Sequence, residues 1–209
     1  RRLSEERFSI DTDEPATTYW GSDNISTDTS IFRYVQTSLT NPNQTWEVDL
    51  DTGTRQLLKE TKVPGDYDAT QYAAKRIDVP ARDGTLVPVT LAYHRNTSLD
   101  GSAPGLVYGY GSYGSSTLPY FNPALISLLD RGFIYAIAHI RGGQERGREW
   151  YEDGKMMTKI NTFTDFIDVT DALQKEAIVD TKRTYARGGS AGGLLMGAVL
   201  NMAPALYHG

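Results

Sequence analysis

The chain has 209 residues and a net charge of −5, and 39% of its residues are hydrophobic, which is the composition of an ordinary globular protein. It has no cysteine, so disulfides, thiol catalysis and thiolate metal sites are excluded. The sequence shows no apolar run of membrane-spanning length, no signal-peptide pattern and no basic run typical of nucleic-acid binding. A reducing cytoplasm fits this composition best, and no oligomeric state follows from it.

The first 65 residues have the pattern of short β-strands. Strands are predicted at 31–36, 46–50 and 55–59, with an Asp-x-Gly turn at 51–53. Short antiparallel strands closed by such turns are typical of a propeller blade, and one blade cannot stand alone. We therefore assign residues 1–65 to the C-terminal part of a β-propeller domain, with residues 1–24 assigned to a preceding blade.

Strands and helices alternate after a turn-forming link at 63–68. A β-hairpin is predicted around Asp83-Gly84, and Thr162-x-x-Asp165 has the form of a capping box at the start of a helix. The remaining predicted elements are buried strands at 105–108, 133–138 and 183–186 and helices at 125–129, 162–177 and 194–202. This order predicts an α/β domain with a mainly parallel sheet over residues 66–209.

The motif Gly188-x-Ser190-x-Gly192 has the spacing of a nucleophile elbow. A serine on a sharp strand-to-helix turn takes strained backbone angles, and glycines beside it remove Cβ clashes. A predicted strand precedes the motif and a predicted helix, closed by Pro204, follows it. This context favours a nucleophile, with the N–H of Ala191 as an oxyanion donor, over a Gly-Ser loop without chemical consequence.

A glycine-rich segment, Gly109–Gly114, matches the G-x-G-x-x-G pattern of dinucleotide-binding loops. We reject that interpretation because Pro119 and Pro123 delay the next helix and the next strand ends in His139, where an acidic residue is expected. A glycine-rich turn at this place in a hydrolase carries the second oxyanion donor, and the phenol of Tyr110 can supply it. The alternative is that Tyr110 is simply a packed surface tyrosine.

Neither a metal site nor a catalytic base is found in the sequence. The loop 140–147 is interpreted as a structured loop rather than a phosphate or carboxylate site, and its acidic residues have no metal-binding spacing. His94 and His139 precede Ser190, and His208 lies only 18 residues after it, so none is expected to act as its base. The sequence thus contains a nucleophile and no triad.

Six segments together resemble the prolyl oligopeptidase family. They are residues 108–114 (YGYGSYG), 128–133 (LLDRGF), 138–143 (AHIRGG), 150–155 (WYEDGK), 161–163 (NTF) and 188–193 (GGSAGG). Alanine at position 191 makes the chain most similar to the oligopeptidase B branch, because prolyl oligopeptidases proper usually have asparagine there and acylaminoacyl peptidases histidine. Residues 46–53 and 63–65 match that branch as well.

The resemblance implies a β-propeller capping an α/β-hydrolase domain, and an endopeptidase that cleaves short peptides after Arg or Lys without a cofactor or metal. It implies that Ser190 is the acylating nucleophile, that Ala191 N–H and the Tyr110 hydroxyl form the oxyanion hole, and that Tyr113 lines the wall near the P1 side chain. The triad Asp and His would lie beyond Gly209, so this chain is expected to be a fragment that is inactive alone.

The segment after the oxyanion tyrosine departs from some members of that branch. Leu118 and Tyr120 stand where two acidic residues are thought to attract a basic P2 side chain, so no strong dibasic preference is expected. Two other functions remain open at this point: a carboxylesterase-type hydrolase that shares the elbow, and a non-catalytic binding protein with a vestigial elbow.

Overall fold

The computed structural model describes residues 9–10 and 14–209. Its N-terminal part is an antiparallel sheet of four strands in the order β1-β2-β3-β4. The strands are β1 (Thr17–Gly21), β2 (Ile31–Ser38), β3 (Gln44–Asp49) and β4 (Arg55–Glu60). The three strands predicted from the sequence are confirmed, each with slightly different ends.

The assignment of residues 1–24 to a preceding blade is wrong for β1. This strand pairs antiparallel with β2, with Thr17 opposite Ser38 and Gly21 opposite Tyr34, so it belongs to the same sheet. Local sequence does not reveal this pairing, since the paired residues lie 13 to 21 positions apart. Residues 1–8 and 11–13, which the same assignment included, lie outside the described residues.

The second sheet has five strands in the order β5-β6-β8-β7-β9. They are β5 (Tyr72–Pro80), β6 (Leu86–His94), β7 (Gly105–Tyr108), β8 (Ile134–Ala138) and β9 (Thr184–Arg187). The hairpin β5–β6 turns at Asp83-Gly84 as predicted, with Gly84 at φ +85°. β7 is parallel to β8 and β9, whereas β6 is antiparallel to β5 and β8. The sheet is therefore mixed rather than mainly parallel.

Within residues 14–209, four α-helices connect or follow these strands. They are α1 (Pro123–Leu129), α2 (Arg148–Glu152), α3 (Ile160–Lys175) and α4 (Ala191–Met202). The predicted capping box is wrong, because α3 begins before Thr162 and has no side-chain cap. Thr162 instead donates its hydroxyl to the carbonyl oxygens of Arg141 (2.6 Å) and Gly154 (3.0 Å), and Asp165 binds the side chain of Arg141.

One hydrophobic cluster joins the second sheet to α3 and α4, and a second joins it to α1. Phe166 and Leu173 from α3 and Leu195 and Val199 from α4 are fully or almost fully buried against the central strands. Burial of this kind of surface is the dominant stabilising contribution to a fold. The opposite side of α4 is uncovered, and Leu194 is 62% exposed. In the described residues, no helix combines the length and apolarity that crossing a bilayer requires.

Aromatic contacts join the link at 63–68 and the first sheet to the part of the chain that carries the second sheet. The ring of Tyr67 stacks on Tyr72 at 5.4 Å between centroids and meets the ring of Phe121 edge-on. Trp20 of β1 makes an edge-on contact with Tyr120. The first sheet ends at Glu60 and the second begins at Tyr72. The division into domains 1–65 and 66–209 stays a prediction.

Candidate active site

Ser190 stands on a sharp turn between β9 and α4. Its backbone angles are φ 56° and ψ −120°, and it is an exposed residue that directly precedes the helix. A residue with a side chain rarely adopts a positive φ, and the strain costs about 1–3 kcal/mol. Such strain persists where the surrounding structure imposes it. The turn therefore has the geometry that exposes a nucleophilic hydroxyl at the start of a helix.

The two glycines of the motif are required by close backbone contacts. A Cβ at Gly188 would lie 2.3 Å from the carbonyl oxygen of Gly192, and a Cβ at Gly192 would lie 3.0 Å from the carbonyl oxygen of Gly109. The neighbouring Gly189 and Gly193 have no atom within 4 Å of the same position. Steric crowding thus requires glycine at the two motif positions, as predicted, and not at the two additional positions.

The glycine-rich segment that contains Tyr110 lies beside this elbow. β7 and β9 are parallel neighbours, so their carboxyl ends meet at one edge of the sheet, where the N–H of Gly109 donates to the oxygen of Arg187 at 3.2 Å. The ring of Tyr110 lies near Gly192 of the elbow, where an added Cβ would be 3.7 Å from the ring atom Cδ2. Tyr110 itself is only partly buried.

Tyr113 occupies the other end of that segment. Its φ is 59°, again in the left-handed region, and its side chain is 80% exposed. The sequence-predicted residues Ser190, Ala191, Tyr110 and Tyr113 thus belong to two turns that meet at the same edge of the sheet. An exposed aromatic ring at such an edge is available to contact a bound molecule.

The loop after β8 is a structured element, as the sequence analysis favoured. Arg141 is buried, and its Nε donates to Asp165 at 2.9 Å while its Nη1 donates to Asp83 at 2.7 Å. These hydrogen bonds hold the pKa of the guanidinium above its usual range, with the bond to Asp165 as the main cause. Arg141 is thus paired with two carboxylates of the fold, and its guanidinium is not available to bind an anion.

In the described part of the chain, each of the three histidines hydrogen-bonds to a residue other than Ser190. His139 is buried, and its Nε2 hydrogen-bonds the hydroxyl of Thr90 at 2.8 Å. The backbone of His208 bonds to Thr184, at the opposite end of β9 from the elbow. His94 lies at the end of β6, and its Nε2 is 3.4 Å from Oε1 of Gln71. Within the same residues, no group of three His, Asp or Glu side chains is placed to hold a metal ion.

Comparison with known proteins identifies the family. The model of the prolyl oligopeptidase family matches residues 119–209. Dipeptidyl aminopeptidase BI from Pseudoxanthomonas mexicana is 56% identical over 199 residues, which are 95% of this chain and 27% of that protein. Protease 2 from Moraxella lacunata is 43% identical over 198 residues, or 95% of this chain and 29% of that protein. The chain belongs to the prolyl oligopeptidase family.

The solved structures of family members agree with the fold. Oligopeptidase B from Trypanosoma brucei, with covalently bound antipain, superimposes with a TM-score of 0.86 at 42% identity and covers 95% of this chain and 28% of that one. Oligopeptidase B from Leishmania major gives a TM-score of 0.85 at 40% identity, covering 94% of this chain and 28% of that one. The chain therefore spans somewhat more than a quarter of the length of these relatives.

One further residue beside the site, Lys159, is not predicted from the sequence. Lys159 donates from its ammonium group to the carbonyl oxygen of Gly111 and to the hydroxyl of Ser112, the latter at 2.8 Å. These acceptors lie between Tyr110 and Tyr113. No local pattern marks it, because the helix predicted from the sequence begins at 162, three residues after Lys159, and its acceptors lie in another loop.

Proposed function

We propose that this chain carries the nucleophile of a serine peptidase that hydrolyses short peptides on the carboxyl side of Arg or Lys. The observation that carries the proposal is the backbone of Ser190, an exposed serine held at φ 56° directly before α4. The peptidase names of the relatives favour peptides over simple esters as substrates. The preference for Arg or Lys rests on the likeness to oligopeptidase B.

The proposed reaction is acyl transfer through an ester on Ser190. The hydroxyl oxygen attacks the scissile carbonyl carbon, the hydroxyl proton passes to a general base, and the carbonyl oxygen becomes an oxyanion. The N–H of Ala191 and the hydroxyl of Tyr110 donate to that oxygen. The C–N bond then breaks, the base returns its proton to the leaving amine, and water hydrolyses the ester. Tyr113 would contact the P1 side chain.

The general base is not assigned to any described residue. Because the family resemblance places a triad His and Asp after Gly209, we propose that they act on Ser190 in the natural polypeptide that contains these residues. The 209-residue chain by itself is then expected to be several orders of magnitude slower, as when a triad member is removed. The β-propeller assignment of residues 1–65 and the cytoplasmic location belong to the same proposal.

A second cleavage mode is favoured by one observation. The relative with 56% identity is named a dipeptidyl aminopeptidase, which indicates removal of dipeptides from a free amino terminus. This mode uses the same nucleophile and differs in where the peptide's amino terminus lies. An endopeptidase accepts a blocked amino terminus, whereas a dipeptidyl aminopeptidase does not.

The test compares peptides that differ only at the amino terminus. The natural polypeptide and its Ser190→Ala variant are incubated with a peptide containing one internal Arg, in a free and an acetylated form, and products are identified by mass spectrometry. Cleavage of both forms after Arg, lost in the variant, is the expected result. Cleavage of the free form alone, two residues from its end, would replace the endopeptidase by the dipeptidyl mode. Undiminished cleavage by the variant would refute the role of Ser190.

A further inference from the structure

Lys159 stands where local physical chemistry disfavours a cation. It directly precedes α3, whose N-terminal end carries a partial positive charge, and the first turn of that helix has no acidic residue. Its side chain is partly buried, and this burial lowers the pKa of the ammonium. Across residues 9–10 and 14–209, no carboxylate forms an ion pair with it. Residues that break local rules in this way are often functional.

The ammonium group of Lys159 contacts the turn beside the elbow and a ring on the helix that follows it. Its ammonium donates to the carbonyl oxygen of Gly111 and to the Ser112 hydroxyl at 2.8 Å, and it lies 5.9 Å from the ring centroid of Phe163. Hydrogen bonds from a charged donor are about twice as strong as neutral ones. Gly142 also packs closely against the Gly111 oxygen, since a Cβ at Gly142 would lie 2.1 Å from it.

The turn that receives these bonds is strained. Gly111, Tyr113 and Gly114 have φ values of 62°, 59° and 63°, so three of its residues are in the left-handed region. For a tyrosine this conformation costs about 1–3 kcal/mol and requires support from the surrounding structure. The N–H of Gly114 provides one such support by donating to Gly142 at 3.0 Å. Lys159 provides the support between Tyr110 and Tyr113.

We propose that Lys159 is a positioning residue that holds the 109–114 turn so that the Tyr110 hydroxyl faces the oxyanion formed at Ser190. The inference rests on the proposed function. Since the oxyanion charge develops only in the transition state, loss of this support lowers kcat more than it changes KM. Lys159 itself acts on the substrate only through the turn.

The test uses Lys159→Met in the natural polypeptide, with Lys175→Met as the matched control. Lys175 lies on the same helix, but its side chain is 74% exposed and pairs with Asp171. Because a displacement of about 1 Å costs on the order of 100-fold in rate, Lys159→Met is expected to lower kcat by roughly 10- to 100-fold with KM within about threefold. Lys175→Met should stay within about twofold of the wild type in both. Lys159→Arg, which keeps the charge and the donors, should retain more activity than Lys159→Met.

A double-mutant cycle with Tyr110→Phe separates positioning from a general loss of stability. If Lys159 acts through Tyr110, Lys159→Met should have little further effect in the Tyr110→Phe background. Additive losses, or an unchanged kcat in Lys159→Met, would overturn the inference, and so would an inert Tyr110→Phe. Should Lys159→Met not fold, Ser112→Ala removes one of its acceptors, and an effect that is additive with Tyr110→Phe would count equally against it. Failure of the proposed function is recognised separately, by an active Ser190→Ala variant.

Discussion

Adding one methyl group at Gly188 should disrupt the elbow, whereas the same change at Gly189 should not. The Cβ of Gly188→Ala would lie 2.3 Å from the carbonyl oxygen of Gly192, which belongs to the backbone of α4 and cannot rotate away. A carbon and an oxygen normally approach no closer than about 3.3 Å. One of the two backbone segments must therefore move by roughly 1 Å. Ser190 lies between them and moves with either one.

The expected size of the effect follows from that displacement. Overpacking of this kind destabilises by about 1–3 kcal/mol, and a displacement of about 1 Å at a reacting group costs on the order of 100-fold in rate. At Gly189, no atom lies within 4 Å of the added Cβ and the backbone φ is not positive. Gly189→Ala is expected to be neutral or stabilising by about 0.4–1 kcal/mol, because alanine restricts the unfolded chain.

Two assays on the matched pair decide this prediction. Urea unfolding gives the change in the free energy of unfolding, and kcat/KM for an Arg-containing peptide gives the change in activity of the natural polypeptide. Gly188→Ala should be clearly impaired in both assays and Gly189→Ala in neither. The reasoning is refuted if the two variants differ by less than about threefold in kcat/KM and by less than about 0.5 kcal/mol in stability.

Three further predictions concern stability and specificity. Asp165→Ala leaves the buried guanidinium of Arg141 without its main partner and should lower the free energy of unfolding by about 3–5 kcal/mol. Asp83→Ala should lower it by less than about 1 kcal/mol, because the side chain of Asp83 is 43% exposed. Chemical denaturation of both variants checks this prediction, and equal losses would contradict it. Burial raises the pKa of Tyr135 to about 12, so the folded state keeps a proton that the unfolded chain loses from about pH 10. Stability should therefore fall between pH 10 and 12 by up to about 3 kcal/mol, and by less in Tyr135→Phe, as measured by denaturation across that range. Leu118 and Tyr120 offer no carboxylate to a basic P2 side chain. The kcat/KM for Arg-Arg substrates should therefore be close to that for Ala-Arg substrates, and a much larger value for Arg-Arg would contradict this prediction.

The sequence predicted those features that depend on neighbouring residues. The strands, the Asp83-Gly84 hairpin and the elbow before α4 follow from alternation, turn chemistry and helical spacing within short windows. The strain at Ser190 was expected from the motif and is present as φ 56°. The clash that requires Gly188 is also local, since it involves Gly192 four residues later.

Features that depend on residues far apart in the chain could not be predicted from local sequence patterns. The place of β8 between β6 and β7, and the pairing of β1 with β2, depend on contacts between separate segments. Thr162 and Asp165 have the spacing of a capping box, but their side chains bond to Arg141, more than twenty residues earlier. The same polar groups serve local and tertiary bonds, and spacing alone does not separate the two. Lys159 was missed for this reason, because its acceptors lie in another loop.

The most direct test of the central claim is covalent labelling of Ser190. The natural polypeptide, the 209-residue chain and their Ser190→Ala variants are treated with a fluorophosphonate, and the modified peptide is located by mass spectrometry. We expect one label, on Ser190, in the natural polypeptide and little or none in the 209-residue chain. Labelling of another serine in the natural polypeptide would show that Ser190 is not the nucleophile. Strong Ser190-dependent labelling of the 209-residue chain would show that a base within it activates Ser190, contrary to the account.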